Sequence, residues 1–99
     1  INTTNNYYGK TALMIASSEG HLEMVKLLVE NGADVKAKDK DKDGWTALMR
    51  ASWRGYSEIV KYLVKNGSDI NIKNNDGKTA LDLADSEEIK EVLRKTGAK

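Results

Sequence analysis

The 99 residues include one histidine and no cysteine, which leaves little for catalysis to use. His21 alone supplies neither a metal ligand set nor the base of a nucleophilic triad. No serine or carboxylate has a matching base, so no catalytic residue and no cofactor is expected. Asp39-Lys40-Asp41-Lys42-Asp43-Gly44 places carboxylates at alternate positions ahead of a glycine, the first half of a loop that wraps oxygens around calcium. Counted from Asp39, the twelfth position should be a bidentate glutamate. It is Arg50, which would repel the ion. Asp39, Asp41 and Asp43 are therefore metal candidates only as half a motif, and a surface loop is the expected reading. The chemistry best supplied is recognition. Trp45, Trp53 and Arg54 offer large apolar area, cation–π stacking and a bidentate donor, which are the usual ingredients of binding hot spots. A lysine-binding cage of Trp45 and Trp53 is a further reading, which requires the rings to converge.

These residues are positioned by a repeat. Gly9-Lys10-Thr11-Ala12-Leu13-Met14-Ile15-Ala16-Ser17 returns as Gly44-Trp45-Thr46-Ala47-Leu48-Met49-Arg50-Ala51-Ser52, and again as Gly77-Lys78-Thr79-Ala80-Leu81-Asp82-Leu83-Ala84-Asp85. A period near 33 residues is the signature of a solenoid. The first interval is two residues longer, and the Lys-Asp doubling at 39–43 accounts for it. In each unit a threonine can cap a short helix built from small residues. A glycine then permits a tight reversal, at Gly20 and Gly55. A second helix follows with its apolar residues at helical spacing: Leu22, Met24, Val25, Leu27, Leu28 and Val29, then Ile59, Val60, Tyr62, Leu63 and Val64. Gly32 and Gly67 end these helices. Helices are expected to begin near Thr11, Leu22, Thr46, Ser57, Thr79 and Ser86. The third unit is shortened by three residues between its helices, and its last helix, Glu87 to Lys95, is charged on most faces, as a terminal cap requires.

The motifs Gly-x-Thr-Ala-Leu-Met, Glu19-Gly20-His21-Leu22-Glu23-Met24-Val25-Lys26-Leu27-Leu28 and Asn31-Gly32-Ala33-Asp34-Val35 resemble the ankyrin repeat over roughly residues 7 to 97. Three departures stand out. Alanine follows each threonine where the family usually has proline, methionine replaces the usual histidine at Met14 and Met49, and Asp82 replaces it in the third unit. The resemblance implies an all-α solenoid of stacked helix-turn-helix units joined by β-turn loops. It implies a local packing role for His21. It also implies a binding side formed by the turn tips and the ends of the first helices. Carried over position by position, that side holds Tyr8, Lys10, Ser18 and Glu19 from the first unit, Asp43, Trp45, Trp53 and Arg54 from the second, and Asp76 and Lys78 from the third turn.

The expected organisation is a tail of a preceding repeat or an N-terminal extension at 1–8, repeat one with its expanded loop at 9–43, repeat two at 44–76, and a capping repeat at 77–99. Ile1-Asn2 matches Ile70-Asn71, the close of the second unit, so the chain is expected to open in the tail of another repeat. Charged residues make up 31% of the chain, yet the net charge is +1 and the signs alternate. That pattern gives no general attraction to nucleic acid or membrane. No apolar run approaches the length of a bilayer span, and a cytosolic or nuclear setting is compatible with the polar start. The expected function is a non-catalytic protein-interaction module that binds another protein or peptide. Self-association through the N-terminal stacking face is expected beside it. The alternative is an engineered or excised scaffold suited to studying stacking, loop insertion or assembly.

Overall fold

The computed structural model describes residues 12–38 and 44–97, and over them the chain forms six helices. They are α1 (Ala12–Glu19), α2 (Leu22–Glu30), α3 (Ala47–Arg54), α4 (Ser57–Lys65), α5 (Ala80–Leu83) and α6 (Glu87–Lys95). Each odd-numbered helix pairs with the even-numbered one that follows it. Helices α1, α3 and α5 pack side by side in one layer, and α2, α4 and α6 form the second. Among the described residues the only β pairing is an isolated antiparallel bridge between Lys38 and Thr46. It joins the two ends of the expanded loop, whose residues 39–43 lie outside the described part of the chain.

The first layer is close-packed because its residues are small. Ala16, Ser17, Ala47, Ala51, Ser52 and Ala80 are all buried, which lets the odd-numbered helices approach one another. Larger side chains, Leu13, Met14, Leu48 and Met49 from that layer and Val25, Ile59, Val60, Leu63, Ile89 and Leu93 from the other, fill the space between layers. Fully burying a leucine or isoleucine contributes about 1.5–3 kcal/mol. No nine-residue helix could hide such a face alone, so the stack holds its members together.

Two of the threonine caps, at Thr46 and Thr79, form as the repeat pattern anticipates, and Thr11 lies outside the described residues. Thr46 Oγ1 accepts the Met49 N–H at 3.2 Å, and the Thr46 N–H points back at Met49 Sδ at 3.5 Å. A thioether thus closes a capping box as a weak acceptor. In the third unit Asp82 closes the equivalent box with a carboxylate. Thr79 Oγ1 accepts the Asp82 N–H at 3.3 Å, and Asp82 Oδ2 accepts the Thr79 N–H at 3.0 Å. At the far end of α3, Gly55 takes a left-handed conformation (φ 86°), so its N–H and that of Tyr56 both reach the Ala51 carbonyl at 3.0 Å.

The shortening of the third unit falls partly on the helix, not on the connecting loop alone. Helix α5 is a single turn of four residues where α3 has eight. Ala84 is extended (φ −61°, ψ 132°), and the Asp85 N–H donates to the Ser52 carbonyl at 3.0 Å. That bond ties the clipped repeat to α3 in place of another helical turn.

Candidate functional site

Trp45 enters from the turn just before α3, and Arg50, Trp53 and Arg54 lie on α3 itself. Positions 50, 53 and 54 share one helical face because they are three and four residues apart. The two indoles meet edge to face, with centroids 5.6 Å apart and planes at 88°. The Arg50 guanidinium lies 5.6 Å from the Trp45 ring centre, and Arg54 lies 5.4 Å from that of Trp53. Both distances are within cation–π range. Leu83, the last residue of α5, adds a wall from the next repeat. Trp45, Arg50, Trp53 and Leu83 enclose an open recess of about 270 Å³. Trp45 is half-buried, whereas Trp53 is 53% exposed. A large indole held rigid by its neighbours yet half open to water can gain apolar contact without much loss of side-chain freedom.

The other predicted site residues surround this cluster only in part. Ser18 is half-buried and Glu19 exposed near the end of α1, the positions that Trp53 and Arg54 occupy in α3. The Glu19 carboxylate sits 3.3 Å from His21 Nε2, and both side chains are largely in water. Asp76 and Lys78 are exposed on the turn ahead of α5. Tyr8, Lys10, Asp39, Asp41 and Asp43 lie outside the described residues. Among the described residues, no group of three or more histidine, cysteine, aspartate or glutamate side chains could hold a metal ion, and no helix is long and apolar enough to cross a membrane.

Three contributors escape a reading of the sequence. Arg50 looks like the residue that spoils a calcium loop, yet it stacks on Trp45. Its spacing of three and four from Trp53 and Arg54 was the available signal. Leu83 stands where Ile15 and Arg50 stand in the other units, so by sequence it reads as an ordinary repeat position, yet it lines the recess. Asn74 is buried and shapes the turn that carries Asp76 and Lys78. Its Oδ1 accepts the N–H of Asp76 at 2.8 Å and of Lys78 at 3.0 Å, and its own N–H donates to the Lys78 carbonyl at 2.9 Å. An asparagine two residues ahead of Asp76-Gly77 is the legible trace of that turn.

The outer layer contrasts in chemistry. On α4, Lys61 pairs with Glu58 at 3.4 Å and reaches across to Glu88 of α6 at 3.7 Å, all three groups being well solvated. Lys65 is also exposed. Such pairs contribute about 0–1 kcal/mol and are hydrated as they stand.

Comparison with known proteins agrees with this architecture. The family described as ankyrin repeats (3 copies) matches residues 1–74 and 39–99. A stretch of 43 residues is 40% identical to the E3 ubiquitin-protein ligase mind-bomb of Drosophila melanogaster, covering 43% of this chain and 4% of that protein.

Proposed function

The chain belongs to the ankyrin-repeat family, whose members generally mediate protein–protein interaction, and from that premise we propose that it docks a partner on the side carrying Trp45, Trp53 and Arg54. No catalytic step is assigned to it. Ser18, Glu19, Asp76 and Lys78, together with Tyr8, Lys10 and Asp43, make up the surrounding contact surface. The observation that carries the proposal is the pair of crossed indoles, each with an arginine on its ring, beside an open recess. Covering tryptophan gains free energy, whereas stripping water from the exposed lysines of α4 costs it.

The same geometry selects the partner's chemistry. Cationic groups already lie over both rings, so a lysine guest would be repelled. The lysine-cage reading is therefore disfavoured. A leucine or aromatic side chain fits the recess, and a neighbouring carboxylate answers Arg50 and Arg54. The partner is thus a protein segment with an apolar anchor beside an acidic residue. Selection from a displayed peptide library, followed by titration of tryptophan fluorescence, tests this. Trp53→Ala and Arg54→Ala should each weaken the selected peptides by more than about 1 kcal/mol, with melting nearly unchanged, and Lys61→Ala should do neither. Enrichment of lysine-rich peptides, or indifference to Trp53→Ala, would defeat the proposal. If Trp53→Ala unfolds the chain, the ring belongs to the core and the site shrinks to the turn tips.

A second reading, self-association, is favoured by a different observation: Met24 and Leu27 on α2 are 47% and 53% exposed.

A further inference from the structure

Of the asparagines, only Asn31 and Asn66 precede a glycine. Each ends a helix of the second layer: Asn31 (φ −96°, ψ 15°) closes α2 and Asn66 (φ −102°, ψ 21°) closes α4. Gly32 and Gly67 follow in left-handed backbone, at φ 94° and 98°, as the reversal requires. Each asparagine Nδ2–H donates to the carbonyl four residues earlier, at 2.7 Å on Leu27 and 2.8 Å on Tyr62. Each glycine N–H donates to the carbonyl three residues earlier, at 3.0 Å on Val29 and 3.3 Å on Val64. All four residues are exposed. The third unit ends α6 in the same way with a different residue. Thr96 (φ −98°, ψ 6°) precedes Gly97 (φ 110°), and its hydroxyl lies 2.9 Å from the Val92 carbonyl and 3.0 Å from that of Leu93. Backbone and tether are alike in the three caps, but the third has no carboxamide.

We infer that Asn31 and Asn66 are sites of spontaneous deamidation, that the native caps hold the reaction in check, and that the reaction destroys the cap that restrains it. Glycine has no Cβ to hinder its backbone nitrogen as a nucleophile. The Gly32 or Gly67 nitrogen gives its proton to solvent base and bonds to the asparagine Cγ. The carboxamide nitrogen takes up a proton and leaves as ammonia. Water then opens the five-membered imide at either carbonyl, giving aspartate, or isoaspartate with the main chain rerouted through Cγ. Burial does not prevent this, because solvent reaches both sites. Geometry does. Ring closure needs the glycine nitrogen on the same side as Cβ, and at ψ 15° and 21° it lies on the opposite side. The two hydrogen bonds of each cap also hold the carboxamide and the glycine nitrogen on separate helix carbonyls. The last turn must therefore open first, and helix ends lie at the low-cost end of local unfolding. Reclosing afterwards is impaired. Aspartate lacks the Nδ2–H donor and sets negative charge against the carbonyls at the negative end of the helix. Isoaspartate adds a carbon to the backbone and displaces the glycine N–H. Thr96 holds the same cap with a hydroxyl and has nothing to deamidate.

Incubating the whole chain at mildly alkaline pH and mapping its peptides by mass spectrometry tests the inference, since asparagine, aspartate and isoaspartate are separated at each position. In urea, Asn31 and Asn66 should convert faster than every other asparagine. In buffer both should slow at least about tenfold, in proportion to the population of opened caps. Asn66→Thr, which copies the cap at Thr96, should melt close to the parent and leave Asn31 as the fast site. Asn66→Asp, the simpler product, should melt below Asn66→Thr at neutral pH, and the gap should shrink in mild acid as the new carboxylate takes up a proton. Equal rates in buffer and urea would overturn the restraint by the caps. Faster conversion at another asparagine in urea would overturn the assignment. Asn66→Asp melting no lower than Asn66→Thr would overturn the loss of the cap.

Discussion

Helices α2 and α4 are built on the same pattern, nine residues each, begun by His21 or Tyr56 and ended by asparagine. They nonetheless sit in different surroundings. In α4, Ile59, Val60 and Leu63 are all buried; in α2, Val25 alone is. Asn31 and Asn66 each send a side-chain N–H back to a carbonyl four residues earlier, at 2.7 and 2.8 Å. The local chemistry of the two helices is thus the same. What differs is the neighbour. Among the described residues, α4 packs against both α2 and α6 in the layer, whereas α2 packs there against α4. In a stack, burial belongs to a position in the array as much as to a residue type.

The widest gap between the two helices should appear on truncation. Leu63 is completely buried, so Leu63→Ala should cost about 2–5 kcal/mol, enough to threaten a chain of this length. Leu27→Ala, in the matching helix, should change stability by no more than about 0.5 kcal/mol, since it removes a side chain already half in water. Urea unfolding of both variants measures the difference. Equal losses would mean that Leu27 is covered in solution by something other than α4.

A smaller gap separates the two reversals that precede these helices. Gly20 (φ 79°) and Gly55 (φ 86°) both adopt left-handed backbone, and alanine at either should cost about 1–2 kcal/mol in strain. Gly20→Ala should cost more, because its new methyl meets the Tyr56 ring at 2.8 Å, while at Gly55 the nearest group is the Asp85 carboxylate at 3.6 Å. Adding Tyr56→Ala should remove the excess at Gly20 and leave the strain. If Gly55→Ala is the more damaging of the two, contact between repeats at this corner is not what sets the cost.

Much of the fold was legible in the sequence, because the repeat states its grammar three times. The caps at Thr46 and Thr79, the reversals at Gly20 and Gly55 and the apolar helical spacing appear where the pattern puts them. The halved α5 was not legible. Its end depends on a hydrogen bond from Asp85 to Ser52, thirty-three positions away, which no local propensity encodes. The candidate site was legible in part. Trp45, Trp53 and Arg54 are conspicuous by type, but Arg50 joins them through the spacing of α3 and Leu83 through the packing of α5 against α3. Met24 matches Ile59 and Ile89 by position, and those are buried while Met24 is 47% exposed, so residue type and repeat position alone do not fix its burial.

The smallest expected effect compares the two capping boxes. Met49 closes the box of α3 with a neutral sulfur, and Asp82 closes that of α5 with a carboxylate. The Thr79 backbone N–H, above all, holds the Asp82 carboxyl below its usual value, against the opposing effect of burial and with lesser help from the Thr79 hydroxyl and from Lys78 and Lys73. A carboxyl depressed on folding stabilises the native state above its unfolded value, near pH 4, and that contribution fades as pH falls toward the lower native value. The box of α5 should therefore weaken in mild acid while that of α3 does not. Asp82 is largely solvated, so its hydrogen bonds to Thr79 compete with water and the effect is small. Hydrogen exchange measured at pH 5 and again near pH 3 should show faster opening at Thr79 to Leu83 at the lower pH, after correction for intrinsic rates, with Thr46 to Arg50 less affected. Asp82→Asn, which keeps an acceptor but cannot titrate, should flatten that dependence. If the dependence persists in Asp82→Asn, another carboxylate sets the acid response and the contrast between sulfur and carboxylate has no bearing on stability.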